Sequence, residues 1–272
     1  MIGLLGSGSW ATAIVKILLE HKEQTLNWWV REPEIIEGLR ATHHNPTYLS
    51  DAEIDVSRIH LSDDIQTIIE ASDDIFVVIP SAFLSMALEK LPADLLKQKT
   101  FHIATKGLIP ETHEPISHYL MTKFGIPESQ ITIVSGPSHA EETAMQKLTY
   151  LAVASSNKKL AERIQEMLNC RYIKTAYSNN PEKIQYATVM KNIYAIAGGL
   201  CHSLHYGDNF QAVLLSNAIQ EIQRFTQAAS PTHRSIDSSG YLGDVLVTAY
   251  SKFSRNRQFG QMIGMGYSVK SA

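Results

Sequence analysis

The chain has 272 residues, enough for two domains, and its 44 % hydrophobic and 19 % charged content is typical of a soluble globular enzyme. The formal net charge of −3 provides no basic field for nucleic acid. Two cysteines, Cys170 and Cys201, are too few for a disulfide scaffold, and no His-x-x-x-His or Cys-x-x-Cys spacing predicts a metal site.

Short apolar runs in the first two-thirds of the chain predict buried β-strands. They are Met1–Leu5, Leu26–Val30, Ile75–Ile79, Thr100–Thr105, Ile131–Ser135 and Tyr150–Ala154. Helical periodicity lies between them, as in Ala11–Glu20 and Lys158–Leu168. Continuous apolar strands that alternate with helices indicate an α/β fold, a doubly wound, parallel Rossmann-type sheet covered on both faces.

After about Ser178 the pattern becomes helical. Asn180-Pro181 provides a helix start, and a helix is predicted from there to about His205. This stretch is apolar, but Lys191 and other polar residues within it favour a buried helix over a membrane span. Gly207-Asp208 breaks the pattern. A helix over Asn209–Ala229, a polar loop from Ser230 to Gly240 and a third helical stretch follow.

This change of pattern sets the predicted domain boundary. We predict a dinucleotide-binding domain over residues 1–178 and a mainly helical substrate domain over residues 179–272.

A glycine-rich turn follows the first predicted strand and opens the first predicted helix. The segment Gly6-Ser7-Gly8-Ser9-Trp10-Ala11 matches G-x-G-x-x-A in the context that dinucleotide binding requires. Gly6 permits the tight turn, and Gly8 lets the backbone approach a pyrophosphate at the helix N-terminus. The alternative is a glycine-rich turn that binds nothing.

The second strand ends in Arg31, followed by Glu32. An acidic residue near this point usually contacts the ribose hydroxyls of NAD, whereas Arg31 could meet the 2′-phosphate of NADP. The pair tilts the preference only weakly toward NADP. A solvated surface arginine is the alternative.

Lys191 is the single formally charged residue between Lys183 and Asp208, and helical spacing places Ala187, Ala195 and Gly198 on its face. A lysine on a helix built for burial is costly without a partner or a task. It is either a proton donor to a carbonyl or a lysine that reaches the helix surface.

Two further segments end predicted strands on the side where α/β folds bind ligands. They are Thr105-Lys106-Gly107 and Gly136-Pro137-Ser138. Each segment is weak evidence for a ligand site alone, but their shared position at the ends of strands favours one common site.

In their order along the chain, these segments resemble the bacterial NAD(P)-dependent glycerol-3-phosphate dehydrogenases. The matching motifs are Gly6-Ser7-Gly8-Ser9-Trp10, Asn45-Pro46-x-Tyr48-Leu49, Ile79-Pro80-Ser81, Thr105-Lys106-Gly107, Ser135-Gly136-Pro137-Ser138-x-Ala140-x-Glu142, Lys191-Asn192-x-x-Ala195-Ile196, Gly207-x-Asn209, Leu242-Gly243-Asp244, Thr248 and Ser254-Arg255-Asn256-Arg257-x-x-Gly260.

The resemblance implies a role for each matched position. Lys191 is similar to the catalytic proton donor of the family, Lys106 to a lysine at both substrate and nicotinamide, and Asp244 to a residue that orients Lys191. The implied cofactor contacts are Gly6, Gly8, Ser9, Trp10, Arg31, Tyr48, Lys106 and Ala140. The implied substrate contacts are Lys106, Gly136, Ser138, Asn192, Asp244, Thr248, Ser254, Arg255 and Asn256.

The resemblance also implies a reaction. It is the interconversion of dihydroxyacetone phosphate and sn-glycerol 3-phosphate with NADP or NAD, which supplies glycerol 3-phosphate for phospholipid synthesis in a cytoplasmic homodimer. One alternative is a related β-hydroxyacid dehydrogenase, whose carboxylate substrate would not require Ser254-Arg255-Asn256-Arg257. Another is a non-catalytic NAD(P)-binding sensor, which would not require the lysines, the aspartate and the arginine together.

Some positions depart from the family pattern. Ala11 stands where glycine is usual, and residues 216–218 and 239–241 differ from their usual sequences near the substrate. Family members continue through further helices after the segment that matches Ser254–Gly260. We therefore expect this helical domain to be truncated at its C-terminus relative to theirs.

Overall fold

The computed structural model describes residues 1–231, 239–251 and 254–272. The chain forms two compact units. The first comprises Met1–Val134 and Ala140–Pro181, and the second comprises Ser135–His139 and Glu182–Ala272. In the described parts of the chain, no helix combines the length and the apolar character needed to cross a membrane.

An eight-stranded sheet, in the order β3-β2-β1-β4-β5-β6-β7-β8, organises the described residues of the first unit. Its strands are β1 Ile2–Leu5, β2 Leu26–Trp29, β3 Ile59–Ser62, β4 Asp74–Val77, β5 Thr100–Ile103, β6 Ile131–Ser135, β7 Thr149–Ala154 and β8 Ile173–Ser178. The strands from β3 to β6 run parallel in this order, and so do β7 and β8. The order β3-β2-β1-β4-β5-β6 is that of a doubly wound dinucleotide-binding fold, so the predicted fold class is confirmed.

Helices alternate with these strands. They are α1 Ser9–Leu18, α2 Pro33–Thr42, α3 Ile65–Glu70, α4 Ser81–Leu88, α5 Ala93–Lys97, α6 Ile116–Phe124, α7 Ala140–Ala144 and α8 Lys158–Leu168. The amphipathic helix α8 buries Leu160, Ile164 and Leu168, which share one face at a spacing of four residues. They join Ile14 of α1 and Trp28 of β2 in one apolar cluster. This packing holds α1, and with it the glycine-rich turn, against the sheet.

The six predicted strands are all present, but the sequence did not reveal β3 and β8. Both are edge strands, each with one neighbouring strand. Along β8, only Ile173 is buried, and along β3 only Leu61. An edge strand is only partly buried, so its sequence need not be a continuous apolar run. That run is the pattern by which the central strands were predicted.

A buried polar network joins Asp74, the first residue of β4, to His102 of β5 and Arg163 of α8. Asp74 Oδ1 lies 2.9 Å from His102 Nε2, while Arg163 of α8 donates to both carboxylate oxygens at 2.6 Å. Burial alone would raise the pKa of Asp74, but the hydrogen bonds from His102 and Arg163 hold it well below its ordinary value. Burial lowers the pKa of His102, although Asp74 opposes this. The network therefore keeps a buried carboxylate ionised.

The described residues of the second unit form four helices, α9 Pro181–Ser203, α10 Gly207–Ala229, α11 Ser239–Tyr250 and α12 Arg255–Gly264. The helices predicted up to His205 and over Asn209–Ala229 correspond to α9 and α10. The predicted polar loop from Ser230 to Gly240 falls largely on residues 232–238, which lie outside the described residues.

Helices α9 and α12 meet backbone to backbone. A Cβ atom on Gly260 would overlap the carbonyl oxygen of Ile196, and one on Gly199 would overlap that of Arg257. Only glycine allows this approach at either position. The contact fixes α12 to the helix that carries Lys191.

Candidate active site

The glycine-rich turn lies at the carboxyl end of β1, which pairs with β2 on one side and β4 on the other. Ligands of doubly wound folds bind at this point, where the strand order reverses. Gly6 has φ +126°, and a Cβ there would lie 2.8 Å from the Val78 carbonyl oxygen of the neighbouring chain segment. The turn therefore requires glycine at position 6 for its conformation and for space.

The residues after Gly6 fit a dinucleotide. A Cβ on Gly8 would meet nothing within 4 Å, so open space lies beside its backbone. Helix α1 starts at Ser9, and Gly8 gives its first turn no side-chain cap. Trp10 Nε1 is buried and has no hydrogen-bond partner among the described residues. Free helix N–H groups and an indole N–H can donate hydrogen bonds to the phosphates or the amide of a bound dinucleotide.

Asn45 organises this site, although the sequence assigned it no role. Its side-chain nitrogen donates to the Ser7 carbonyl at 2.9 Å and to Thr12 Oγ1 at 3.0 Å. Its side-chain oxygen accepts from the backbone N–H groups of Thr47 and Tyr48 at 3.1 and 2.9 Å. Asn45 thus ties the glycine-rich turn to the segment with Tyr48, a predicted cofactor contact. The Asn-Pro pair at residues 45–46 signals a turn, but not which segment the turn would contact.

At the end of β2, the predicted cofactor residue Arg31 is engaged by its neighbour. Its Nε and one terminal nitrogen donate to Glu32 Oε1 at 3.1 and 2.6 Å. Ser7 Oγ donates to Glu32 Oε2 at 2.6 Å. Partial burial opposes ionisation of Glu32, but these hydrogen bonds hold its pKa below the ordinary value. An ionised carboxylate therefore lies beside the glycine-rich turn.

The remaining predicted cofactor residues of the first unit follow other strands. Lys106 lies in the loop after β5. Thr105 anchors this loop through hydrogen bonds of 3.1 and 2.8 Å to the carbonyl oxygens of Val77, at the end of β4, and of Ile79. Ala140 is buried as the first residue of α7. Both positions lie on the carboxyl side of the strands, where ligands bind in this fold class.

In the second unit, Lys191 forms a buried ion pair. Its Nζ lies 2.7 Å from Asp244 Oδ1 and 2.7 Å from Thr248 Oγ1. The Thr248 hydroxyl donates to the Asp244 carbonyl oxygen at 2.6 Å, so it accepts from the ammonium. The Lys191 and Asp244 side chains are only 5 % and 4 % exposed. Ala187, Ala195 and Gly198, on the same helix face, are buried too. Lys191 is therefore buried in the helical unit, with Asp244 as its ion-pair partner, and does not extend to solvent.

A small cleft reaches this ion pair, with about 200 Å³ of empty space, its open mouth included. Ser135, Thr188 and Val245 line it together with Lys191 and Asp244. The segment 135–139, which carries the predicted substrate contacts Gly136 and Ser138, belongs to the same unit. Asn192 follows Lys191 on α9 and is half-buried. A carbonyl that enters this cleft would meet the ammonium.

Helix α12 begins in the segment predicted to bind phosphate. Ser254 is its N-cap, and its hydroxyl accepts from the Arg257 N–H at 3.2 Å. Ser254 is buried, Asn256 is half-buried and Arg255 is exposed. An arginine and an amide at a capped helix N-terminus provide several donors for an anion.

The predicted site residues thus form two groups. Lys191, Asp244 and Thr248 are in direct contact in the second unit, which also holds Ser254–Asn256. The other group, from Gly6 to Lys106 together with Ala140, belongs to the first unit. The first unit carries the glycine-rich turn with its free helix N–H groups, and the second carries a buried ammonium and the donors at the start of α12.

Comparison with known proteins finds one family along both units. A family described as the N-terminus of NAD-dependent glycerol-3-phosphate dehydrogenase matches residues 1–161. Its companion, the C-terminus of the same enzyme, matches residues 182–272. Together these matches cover most of the chain.

Individual relatives agree. The chain is 35 % identical to glycerol-3-phosphate dehydrogenase [NAD(P)+] 2 of Salinibacter ruber over 272 residues, with 99 % of this chain and 78 % of the relative covered. It is 31 % identical to glycerol-3-phosphate dehydrogenase [NAD(P)+] of an Exiguobacterium species, covering 99 % and 79 %. The crystal structure of glycerol-3-phosphate dehydrogenase from Coxiella burnetii superposes with a TM-score of 0.88 at 26 % identity, covering 99 % and 81 %.

Proposed function

The chain belongs to the NAD-dependent glycerol-3-phosphate dehydrogenase family, and from that premise we propose that it interconverts dihydroxyacetone phosphate and sn-glycerol 3-phosphate with NADH or NADPH. The observation that carries this proposal is the buried contact of Lys191 with Asp244 and Thr248 beside a small cleft. A buried ammonium at a cleft is suited to protonating an oxygen that becomes negative during reaction.

Lys191 is the proton donor in this proposal. A dihydronicotinamide, once bound, would supply the hydride that reduces C2 of dihydroxyacetone phosphate. As the C2 oxygen gains negative charge, Lys191 Nζ stabilises it and transfers a proton to it, which yields the alcohol. Asp244 and Thr248 accept hydrogen bonds from the same Nζ and hold it at the cleft. In the reverse direction, neutral Lys191 accepts the proton of the hydroxyl group.

The substrate phosphate is held at the start of α12. Arg255 provides a planar, doubly donating group, Asn256 provides an amide, and Ser254 caps the helix through Arg257 N–H. We assign Gly136, Ser138, Asn192, Asp244 and Thr248 to the rest of the substrate pocket. Lys106 is a further proposed substrate contact, with the role of polarising the substrate carbonyl.

The dinucleotide is held by the first unit. The backbone at Gly6, Gly8 and Ser9 binds its pyrophosphate. Trp10 Nε1 is a hydrogen-bond donor that has no partner among the described residues. Arg31, Tyr48, Lys106 and Ala140 complete the proposed set of cofactor contacts. Asn45 keeps the glycine-rich turn and the Tyr48 segment together.

The physiological role follows from the product. Glycerol 3-phosphate is the backbone of glycerophospholipids, so we propose that this reaction supplies phospholipid synthesis. A cytoplasmic location and a homodimeric state belong to the same proposal.

The direct test follows nicotinamide absorbance with dihydroxyacetone phosphate and, separately, with unphosphorylated dihydroxyacetone and a β-keto acid. We expect oxidation of the dinucleotide with the phosphorylated ketone and little with the other two. Turnover of the β-keto acid instead would identify a β-hydroxyacid dehydrogenase. Dinucleotide binding without any turnover would identify a sensor, and both results would refute the proposed function.

A further inference from the structure

The end of β2 carries a carboxylate that is attached to the glycine-rich turn. Glu32 Oε2 accepts from the hydroxyl of Ser7, which lies between Gly6 and Gly8, at 2.6 Å. In a dinucleotide-binding fold the pyrophosphate sits on this turn, and the ribose of the adenosine half lies toward the end of the second strand. The hydrogen bond from Ser7 therefore holds the Glu32 carboxylate beside the position that this ribose would take.

Arg31, the residue best suited to a 2′-phosphate, is held by the same carboxylate. Two of its guanidinium nitrogens donate to Glu32 Oε1. The Arg31 side chain is 60 % exposed and that of Glu32 only 20 %. The carboxylate is therefore the better-fixed member of the pair. A 2′-phosphate that bound Arg31 would have to draw the guanidinium away from Glu32 and still lie beside a negative charge.

Glu32 carries that charge at neutral pH. Partial burial disfavours the ionised form, but hydrogen bonds from Ser7 and Arg31 lower its pKa from the ordinary 4.5. A carboxylate accepts hydrogen bonds from hydroxyl groups and repels a phosphate dianion.

We propose that Glu32 makes this chain select NAD(H) over NADP(H), by accepting a hydrogen bond from the adenosine ribose 2′-hydroxyl and by repelling a 2′-phosphate. This inference rests on the proposed function, which requires a dinucleotide but leaves the choice open. It also reverses the weak preference for NADP that Arg31 suggests in the sequence. Arg31 then acts as the counter-ion that keeps the Glu32 carboxylate in place.

The test measures binding in the absence of substrate. Dissociation constants for NADH and NADPH come from the increase in nicotinamide fluorescence on binding. They are measured for the wild type, for Glu32→Gln and for Glu34→Gln. Glu34 is an exposed glutamate in the first turn of α2, so Glu34→Gln makes the same charge change two residues away.

We expect the wild type to bind NADH about 10-fold more tightly than NADPH, a difference of about 1.4 kcal/mol. Glu32→Gln should reduce the ratio of the two dissociation constants about 10-fold, because the amide no longer repels the phosphate. Glu34→Gln should leave the ratio within about 2-fold of the wild type, since charges exposed to solvent are screened.

A second measurement needs no variant. ADP-ribose and 2′-phospho-ADP-ribose, each competing with NADH for the wild type, differ only in the 2′-phosphate. ADP-ribose should compete about 10-fold better, by the same repulsion.

Equal or tighter binding of NADPH by the wild type would overturn this inference and leave the proposed function intact. So would equal changes in the ratio for the two glutamine variants. Failure of the wild type to bind either dinucleotide would overturn the proposed function and this inference together.

Discussion

Removing one charge of the Lys191–Asp244 pair should cost at least as much stability as removing both. The two charged atoms are 2.7 Å apart in side chains that are 5 % and 4 % exposed. At an effective dielectric constant of about 20, unit charges at this distance attract by about 6 kcal/mol. Burial offsets much of this attraction, and removing one partner of such a pair typically costs about 3–5 kcal/mol because the other charge stays buried and uncompensated.

We therefore expect Lys191→Met and Asp244→Asn each to lower the free energy of unfolding by about 3–5 kcal/mol. The double variant leaves no buried charge and should lose no more than either single variant, so the coupling energy should be at least about 3 kcal/mol. Urea unfolding should be followed by far-ultraviolet circular dichroism, because the tryptophans, Trp10, Trp28 and Trp29, all lie in the first unit. Additive losses in the double variant would show that the two side chains do not stabilise each other.

Three further changes test other parts of the account. Gly260→Ala should destabilise the second unit by about 3 kcal/mol, because its Cβ overlaps a backbone carbonyl that cannot rotate away; an unchanged urea midpoint would contradict the close packing of α9 and α12. Ionised Asp74 stabilises the fold fully above the ordinary carboxyl pKa of 3.8, and this stabilisation is lost as pH falls toward the lower pKa of the folded state. The free energy of urea unfolding should therefore fall between pH 7 and 3 in the wild type, and fall less in Asp74→Asn. Arg255→Ala should lower kcat/KM for dihydroxyacetone phosphate by roughly 30- to 3000-fold and hardly affect unphosphorylated dihydroxyacetone; equal losses for both would make Arg255 structural.

The central sheet was predictable because its strands are buried on both faces. Strand β1 is fully buried and appears in the sequence as an uninterrupted apolar run, and β4 is apolar after the buried Asp74. The edge strands β3 and β8 were not predicted because polar residues at exposed positions, His60 in β3 and Lys174 in β8, interrupt the apolar pattern. The long helices α9 and α10 were recognisable from an N-terminal Asn-Pro and an intervening glycine.

The site was only partly predictable, because contacts between distant segments are invisible in a local pattern. The isolated charge of Lys191 on an apolar helix marked the residue but left open whether it is buried or reaches the surface. Its partner Asp244 is 53 residues away and was indicated only by the family resemblance. No pattern joined Asn45 to the Ser7 carbonyl. Arg31 and Glu32 are adjacent in sequence, but which of them governs the pocket depends on the Ser7 hydroxyl, which reaches Glu32 only in the folded chain.

The rate of hydride transfer to dihydroxyacetone phosphate in Lys191→Arg shows whether Lys191 donates the proton or supplies only a positive charge. Arginine retains the positive charge that Asp244 requires, but it does not release a proton near neutral pH. With circular dichroism and the dissociation constant for NADH unchanged from the wild type, the single-turnover rate should fall by about 10²- to 10⁴-fold, the usual contribution of a general acid. A rate within a few-fold of the wild type would show that Lys191 supplies only charge and that the proton comes from another group.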